Sequence, residues 1–172
     1  MDAEPSPRWG HFSAPVEGQV YLYGGRTKDF TKEKSKLSST VHVFDSYFES
    51  WKEPAVAEGP FPPGLYVGAC ASSGHHVYVY GGAYDTQWQG SLHQLNCKTM
   101  KWTQLSTPGH GPMRKVGCGL VTYGDQLVLF GGYGLPSGPT QPGAEFIKDT
   151  NYTDNIGWSN ELHSFNVKEG KE

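Results

Sequence analysis

Three times the chain runs through about five β-branched, aromatic or leucine residues into a pair of glycines. QVYLYGG closes at Gly24 and Gly25, HHVYVYGG at Gly81 and Gly82, and DQLVLFGG at Gly131 and Gly132. Self-similarity of this kind constrains a fold more than composition does, because each copy must be one structural unit that buries its apolar face against its neighbour. The residues before each pair have the composition of a buried strand, and two glycines in a row cut that strand with a bend.

A second similarity follows each pair: Val41-His42-Val43-Phe44-Asp45, Leu92-His93-Gln94-Leu95-Asn96 and Leu162-His163-Ser164-Phe165-Asn166. Trp51 and Trp102 stand seven residues after Phe44 and Leu95 and can plug the gap between neighbouring sheets. Upstream, Arg8-Trp9-Gly10-His11, Tyr66-Val67-Gly68-Ala69 and Lys115-Val116-Gly117-Cys118 place one glycine ahead of each inner strand. Every unit therefore reads as four strands, a to d. They fall near 9–14, 19–24, 41–45 and 50–54 in the first unit, and near 67–72, 76–81, 92–96 and 101–105 in the second. The third has a, b and c near 116–123, 126–131 and 161–166, and the chain stops where its d strand is due. The 23 glycines and 12 prolines among 172 residues supply the turns that so many short strands need.

A repeat of about fifty residues with four strands, a double glycine and a later tryptophan resembles the kelch repeat, whose units are the blades of a β-propeller. The expected fold is all-β: a partial kelch propeller of two complete four-stranded blades and most of a third. The expected division is a tail over 1–7, blades over 8–56 and 57–107, and an incomplete third blade over 108–172 with a long loop at 133–159. A six-bladed ring takes roughly 300 residues at that period, so the length is that of about half a domain. More narrowly, Gly131-Gly132-Tyr133-Gly134-Leu135-Pro136, the polar insertion after it, and Gly157-Trp158-Ser159-Asn160-Glu161-Leu162-His163 resemble the third blade of the group around kelch-domain-containing protein 2. That group's members are substrate receptors of cullin-2 ubiquitin ligases and capture proteins by a C-terminal diglycine.

In a blade the b-to-c and d-to-a connections emerge on one face of the propeller. The b-to-c connections are the long ones here, above all from Gly132 to Asn160, and long loops on a rigid scaffold carry function. Arg8, Tyr66 and Lys115 are expected at equivalent positions before the inner strands, and Arg26, Ala83 and Tyr133 directly after the double glycines. Cations beside aromatic rings, with no carboxylate close in sequence, suit an extended peptide with a terminal carboxylate. The resemblance implies that Lys115, Tyr133 and Trp158, and these three alone, belong to the peptide pocket; Arg8, Arg26 and Tyr66 are expected as rim contacts from their register near the mouth of the channel. The group has a tyrosine at the position of Arg26 and an arginine at that of Ile156, so this chain departs from its pattern there. A structural reading stands beside each role: Lys115 and Arg8 as cations capping neighbouring loops, Tyr133 as packing beneath the insertion, and Trp158 as its latch.

The expectation is a protein-interaction module, acting when full length as a substrate receptor. Its partners would be protein C-terminal peptides, together with cullin-2 adaptor proteins bound through a segment this chain lacks. The carboxylate-gripping arginines and serine of that group lie in later blades, which are also missing. The rival from another class is a scaffolding kelch adaptor for cytoskeleton or trafficking, with no terminal-carboxylate pocket.

An enzyme is not expected. His42, His93 and His163 recur one per blade, too far apart to share a metal at bond lengths of roughly 2 Å, and they read as meeting one blade-interface environment three times. His75-His76 sits in a turn and His110 between glycine and proline, and Cys70, Cys97 and Cys118 lack the spacing of zinc or redox motifs. No phosphate loop or catalytic triad motif appears, so neither cofactor nor metal is expected. A net charge of −3 leaves no footprint for nucleic acid, and the one cationic cluster, Lys32, Lys34 and Lys36, reads as a solvated loop. No run of apolar residues is long enough for a membrane helix, and the first ten residues lack the charged and apolar stretches of a leader, so none is expected. Three unpaired cysteines then suggest a cytoplasmic or nuclear setting.

Overall fold

The computed structural model describes residues 4–27, 39–60, 62, 65–84, 87–107, 111–137 and 142–168. Lys32, Lys34, Lys36 and His110 lie outside the described residues. Among the described residues there is no helix, and the repeat resolves into three antiparallel sheets. In the first, Phe12–Val16, Gln19–Tyr23, Val41–Asp45 and Ser50–Trp51 follow in order. The second is built the same way from Ala69–Ser73, His76–Tyr80, Leu92–Asn96 and Lys101–Leu105. The third has Gly119–Tyr123, Gln126–Phe130 and Leu162–Asn166, and its fourth strand is absent among the described residues. The molecule is thus an all-β fragment of a propeller.

Alternation along each strand makes two faces per sheet, and both cores form where sheets meet face to face. Between the first and second blades lie Phe12, Ala14, Tyr21, Tyr23 and Val43 from one side, and Val77, Val79, Leu95 and Trp102 from the other. Trp102 is fully buried and its ring stands 5.0 Å from that of Tyr23, the plug expected of it. Between the second and third blades lie Ala69, Ala71, Tyr78 and Tyr80 against Leu127 and Leu129. The inner strand Ala69–Ser73 lies against both other inner strands.

The turn from c to d is set by one side chain used three times. Asp45 Oδ1 accepts the Tyr47 and Phe48 N–H groups, Asn96 Oδ1 those of Lys98 and Thr99, and Asn166 Oδ1 that of Lys168. A short acceptor at the end of strand c thereby stands in for a backbone turn.

The double glycines are explained by what lies across the seam. All six have positive φ, between 66° and 102°. A Cβ on Gly24 would land on the Leu65 carbonyl oxygen and one on Gly81 on that of Lys115, each in the following blade. The second glycine of each pair then bonds across the seam: Gly25 N–H to Leu65 O at 2.8 Å, and Gly82 N–H to Lys115 O at 2.9 Å.

This pattern corrects the expected alignment by one residue. Leu65, and not Tyr66, is the equivalent of Arg8 and Lys115. The left-handed residue that starts each inner strand is Gly10 (φ 65°), Val67 (φ 58°) and Gly117 (φ 63°), linked blade to blade by Val67 N–H to Gly10 O and Gly117 N–H to Val67 O, both 2.8 Å. Gly68 suggested the wrong register because it is a glycine for another reason: a Cβ there would strike the Phe12 ring and the Tyr80 carbonyl. Tyr66 therefore corresponds to Trp9 and Val116.

Candidate functional site

Past each double glycine the chain doubles back against the lead-in of its own blade and builds a small second sheet on the loop face. In the first blade Trp9 pairs with Arg26. In the second Tyr66 pairs with Ala83, which pairs with Trp88. In the third the order is Val116, Tyr133, Trp158, Ile147. The stretch 133–159, expected as a loop, thus carries the short strands Tyr133–Gly134, Phe146–Lys148 and Gly157–Ser159. Backbone partners in the lead-in strand replace the solvent a free loop would need.

These ribbons carry a run of rings. Trp9 meets Tyr66 edge-on at 5.3 Å, and the Arg26 guanidinium lies 4.6 Å over the Tyr66 ring. Trp88 meets Tyr133 at 5.5 Å, and Tyr133 meets Trp158 at 5.1 Å. Trp9 and Trp158 are each about half exposed, at 54% and 50%. Cross-strand pairing through Ala83 joins the two groups into one arc over three blades. Of the residues expected at the site, Arg26 and Tyr66 come together at one end of this arc, Tyr133 and Trp158 at the other. Trp88 was missed. Its signal was present, an aromatic seven residues after Gly81, but the segment lacked any strand-like period.

Lys115 stands elsewhere. Its side chain is 1% exposed, and its ammonium donates to Glu161, itself 3% exposed, and to Ser159 Oγ at 2.7 Å. Glu161 also accepts the Ser137 hydroxyl at 2.7 Å and the Ser137 N–H at 3.2 Å, and His163 Nε2 lies 3.6 Å away. Burial alone would raise the Glu161 carboxyl, but the hydrogen bonds from Lys115 and Ser137 outweigh it and hold the group down to about 2. The partner carboxylate is 46 residues from Lys115, beyond the reach of a local sequence reading. The pair fixes Ser159, next to Trp158, and Ser137, beyond Tyr133. Arg8 is a looser version at the equivalent position, donating to the Gly24 and Ser6 carbonyls and meeting His42 Nε2 at 3.2 Å.

Tyr133 is oriented from the other side. Its hydroxyl donates to Asp149 Oδ2 at 2.9 Å; desolvation first, then this bond, push the phenol up to about 12. Asp149 is anchored by the Asn151 backbone N–H and held below the usual carboxylate range. The insertion therefore holds the ring of Tyr133 through its hydroxyl while leaving Trp158 partly open.

The three recurrent histidines share register but not surroundings: His42 stands by Arg8 and Trp51, His163 by Glu161, and His93 is buried with its ring pushed toward the neutral form by desolvation. Among the described residues, no three His, Cys, Asp or Glu side chains are placed to hold a metal ion.

Repeated four-stranded sheets stacked face to face, with a ring-lined second sheet on one rim, define a β-propeller interaction module. The family model described as the KLHDC2/KLHL20/DRC7 Kelch-repeats domain matches residues 1–132, and the chain belongs to this kelch-repeat family. Kelch domain-containing protein 1 of Mus musculus is 28% identical over 94% of the chain and 41% of its own length. Kelch domain-containing protein 2 of Bos taurus is 33% identical over 54% of the chain and 23% of its own length. The tRNA wybutosine-synthesizing protein 2/3/4 of Arabidopsis thaliana is 29% identical over 65% of the chain, a stretch that makes up 11% of that protein. The chain spans less than half the length of each of these relatives.

Proposed function

We propose that the aromatic arc is a binding surface for an extended peptide, and that in a full-length protein this surface serves a substrate receptor of a cullin-RING ubiquitin ligase reading a C-terminal glycine. The observation that carries the reading is the arc itself: rings contributed by three blades, partly open to solvent, on the face where the blade connections are longest. Indole and phenol rings offer large rigid contact area at small entropic cost, and they pack on a peptide backbone whatever its side chains. Arg26 over Tyr66 supplies a cation for an acidic group. Tyr133, Trp158 and Trp88 are the direct contacts in this reading; Lys115, enclosed with Glu161, is a positioning residue that fixes Ser159 and so the ring beside it. Recognition would be equilibrium capture, with no bond made or broken.

A peptide ending in Gly-Gly, titrated onto the chain while the indole N–H signals are followed by NMR, tests this. Selective shifts at Trp88 and Trp158, weakened when the peptide's carboxylate is amidated, are the expected outcome. Unmoved indoles would exclude the arc as the site. Shifts indifferent to amidation would favour the scaffolding reading instead.

A further inference from the structure

The recurrent histidine has a polar companion in two blades and lacks it in the one between. In the first blade Arg8 meets His42 Nε2 at 3.2 Å, and in the third Glu161, bonded to Lys115, stands 3.6 Å from His163. The second blade has Leu65 where the others have Arg8 and Lys115, and Leu65 is buried in the apolar seam. His93, the register equivalent of His42 and His163, is 5% exposed, and its Nδ1 has no hydrogen-bond partner among the described residues. Buried polar groups are seldom left so. Beside it opens a cleft of about 480 Å³, with His93, Gln89, Ser91, Gln104 and Arg114 among its lining residues and no carboxylate among them. Among the described residues the Arg114 guanidinium meets no acceptor, and the Gln89, Ser91 and Gln104 side chains are likewise unpaired.

We propose that this cleft binds an acidic side chain, glutamate or aspartate, of the protein partner. The proposal deepens the peptide reading above, on which it rests for the kind of partner. The chemistry is a donor set without an acceptor: Arg114 brings the charge, the two amides and the hydroxyl bring further donors, and the buried His93 ring closes the base. Charge-assisted hydrogen bonds are the stronger ones, and a guanidinium can grip a carboxylate with two parallel N–H groups. The count of charge favours a carboxylate over a phosphate. Desolvation pushes the His93 ring toward the neutral form, so Arg114 is the one cation among the described residues lining the cleft, matched by one negative charge and not by two. Arg114 is also held in place. A Cβ on Gly90 would stand 3.3 Å from the Arg114 Cγ, so the stem lies across that glycine, and the Arg114 carbonyl takes the Leu135 N–H at 3.2 Å. Gln89 directly follows Trp88, whose ring belongs to the arc, so a peptide lying on that ring has the cleft beside it.

The first probe is capped glutamate, N-acetyl-glutamate amide, titrated onto the whole chain while the Arg114 Nε–H and His93 ring signals are followed by NMR. Both signals are expected to move, and the capped glutamine analogue is expected to bind about tenfold more weakly. Arg114→Gln, at an exposed position, is expected to abolish the His93 shift while circular dichroism shows the fold unchanged. Signals unmoved by glutamate overturn the proposal, as does a shift that survives Arg114→Gln. Capped phosphoserine is the second probe, and tighter binding of it than of glutamate overturns the choice of a carboxylate. These probes leave the arc aside, so their outcome stands apart from that of the peptide reading. A peptide ending in Gly-Gly, with one glutamate moved along an otherwise neutral sequence, then joins the two. At one spacing glutamate is expected to bind about tenfold more tightly than glutamine, with the gain removed by Arg114→Gln. A peptide that binds but gains from glutamate at no spacing overturns the proposal. One that fails to bind at all, while capped glutamate is still held at Arg114, overturns the arc and leaves the cleft standing.

Discussion

The seam between the first two blades and the bare face of the third are the same surface in two conditions. Position for position the strands agree, yet Tyr23 and Tyr80 are buried while Phe130 is exposed, and Tyr123 reaches 80% exposure where Val16 is buried. The side chains on the bare face are as apolar as those in the seams. A blade is therefore built to be covered, and what distinguishes core from surface here is the presence of a neighbour and not the residue chosen.

The largest effect that would break this comparison is expected at the tryptophans. Trp102→Ala removes a fully enclosed ring from the first seam and should cost about 3–5 kcal/mol in urea unfolding; Trp51→Ala, at the register-equivalent position but only half-buried, should cost less than half of that. If the two costs were equal, the seam would not be what stabilises the ring.

Next come the buried charges. Lys115→Met strands Glu161 in the interior and should cost about 3–5 kcal/mol, whereas Lys115→Met with Glu161→Leu should recover most of the loss. Arg8→Met, at the equivalent but part-exposed position, should cost far less. The pair also dictates an acid dependence. Glu161 ionises in the folded chain near about 2, below its unfolded value of about 4.3, so its contribution is fully present above the unfolded value and drains away as pH falls toward the folded one. Glu161→Gln should flatten that part of the stability profile.

Smaller effects separate the glycine pairs. Gly81→Ala must push a Cβ into the Lys115 carbonyl of the next blade, on top of a left-handed penalty of about 1–2 kcal/mol. Gly131→Ala meets its nearest neighbour, Ser159 O, at 3.2 Å and should pay little beyond the penalty itself. Last, Tyr123→Ser should leave the monomer's stability within about 0.5 kcal/mol, while Tyr21→Ser should cost several times more. Urea midpoints at a concentration where the chain is monomeric check each of these.

Most of the fold was legible because a repeat states its own period. The double glycines, the strands before them and Trp102 sit where the sequence placed them, whereas Trp51, read as the same plug, is half-buried and meets Phe44 of its own sheet. The failures are local. Gly68 drew the alignment one residue off because a glycine can answer to a neighbour's bulk as well as to a turn, and the true left-handed residue is a valine. Lys115 was left between a pocket role and a loop-capping one because the carboxylate that decides, Glu161, lies 46 residues on, just before the strand Leu162–Asn166. Trp88 was passed over because a two-residue strand is too short to show alternation. Tyr133 and Trp158 were found through resemblance, and their mutual contact emerged only when the insertion proved to be folded back as a ribbon.

The bonds from Gly25 to Leu65 and from Gly82 to Lys115 have a use beyond holding blades together. Each amide proton is sequestered by a carbonyl of a different blade, so it meets deuterium only when that one seam parts, even if both sheets remain whole. The molecule thus carries one isotopic clock per joint, and the two clocks, read separately, would tell which of its joints opens first.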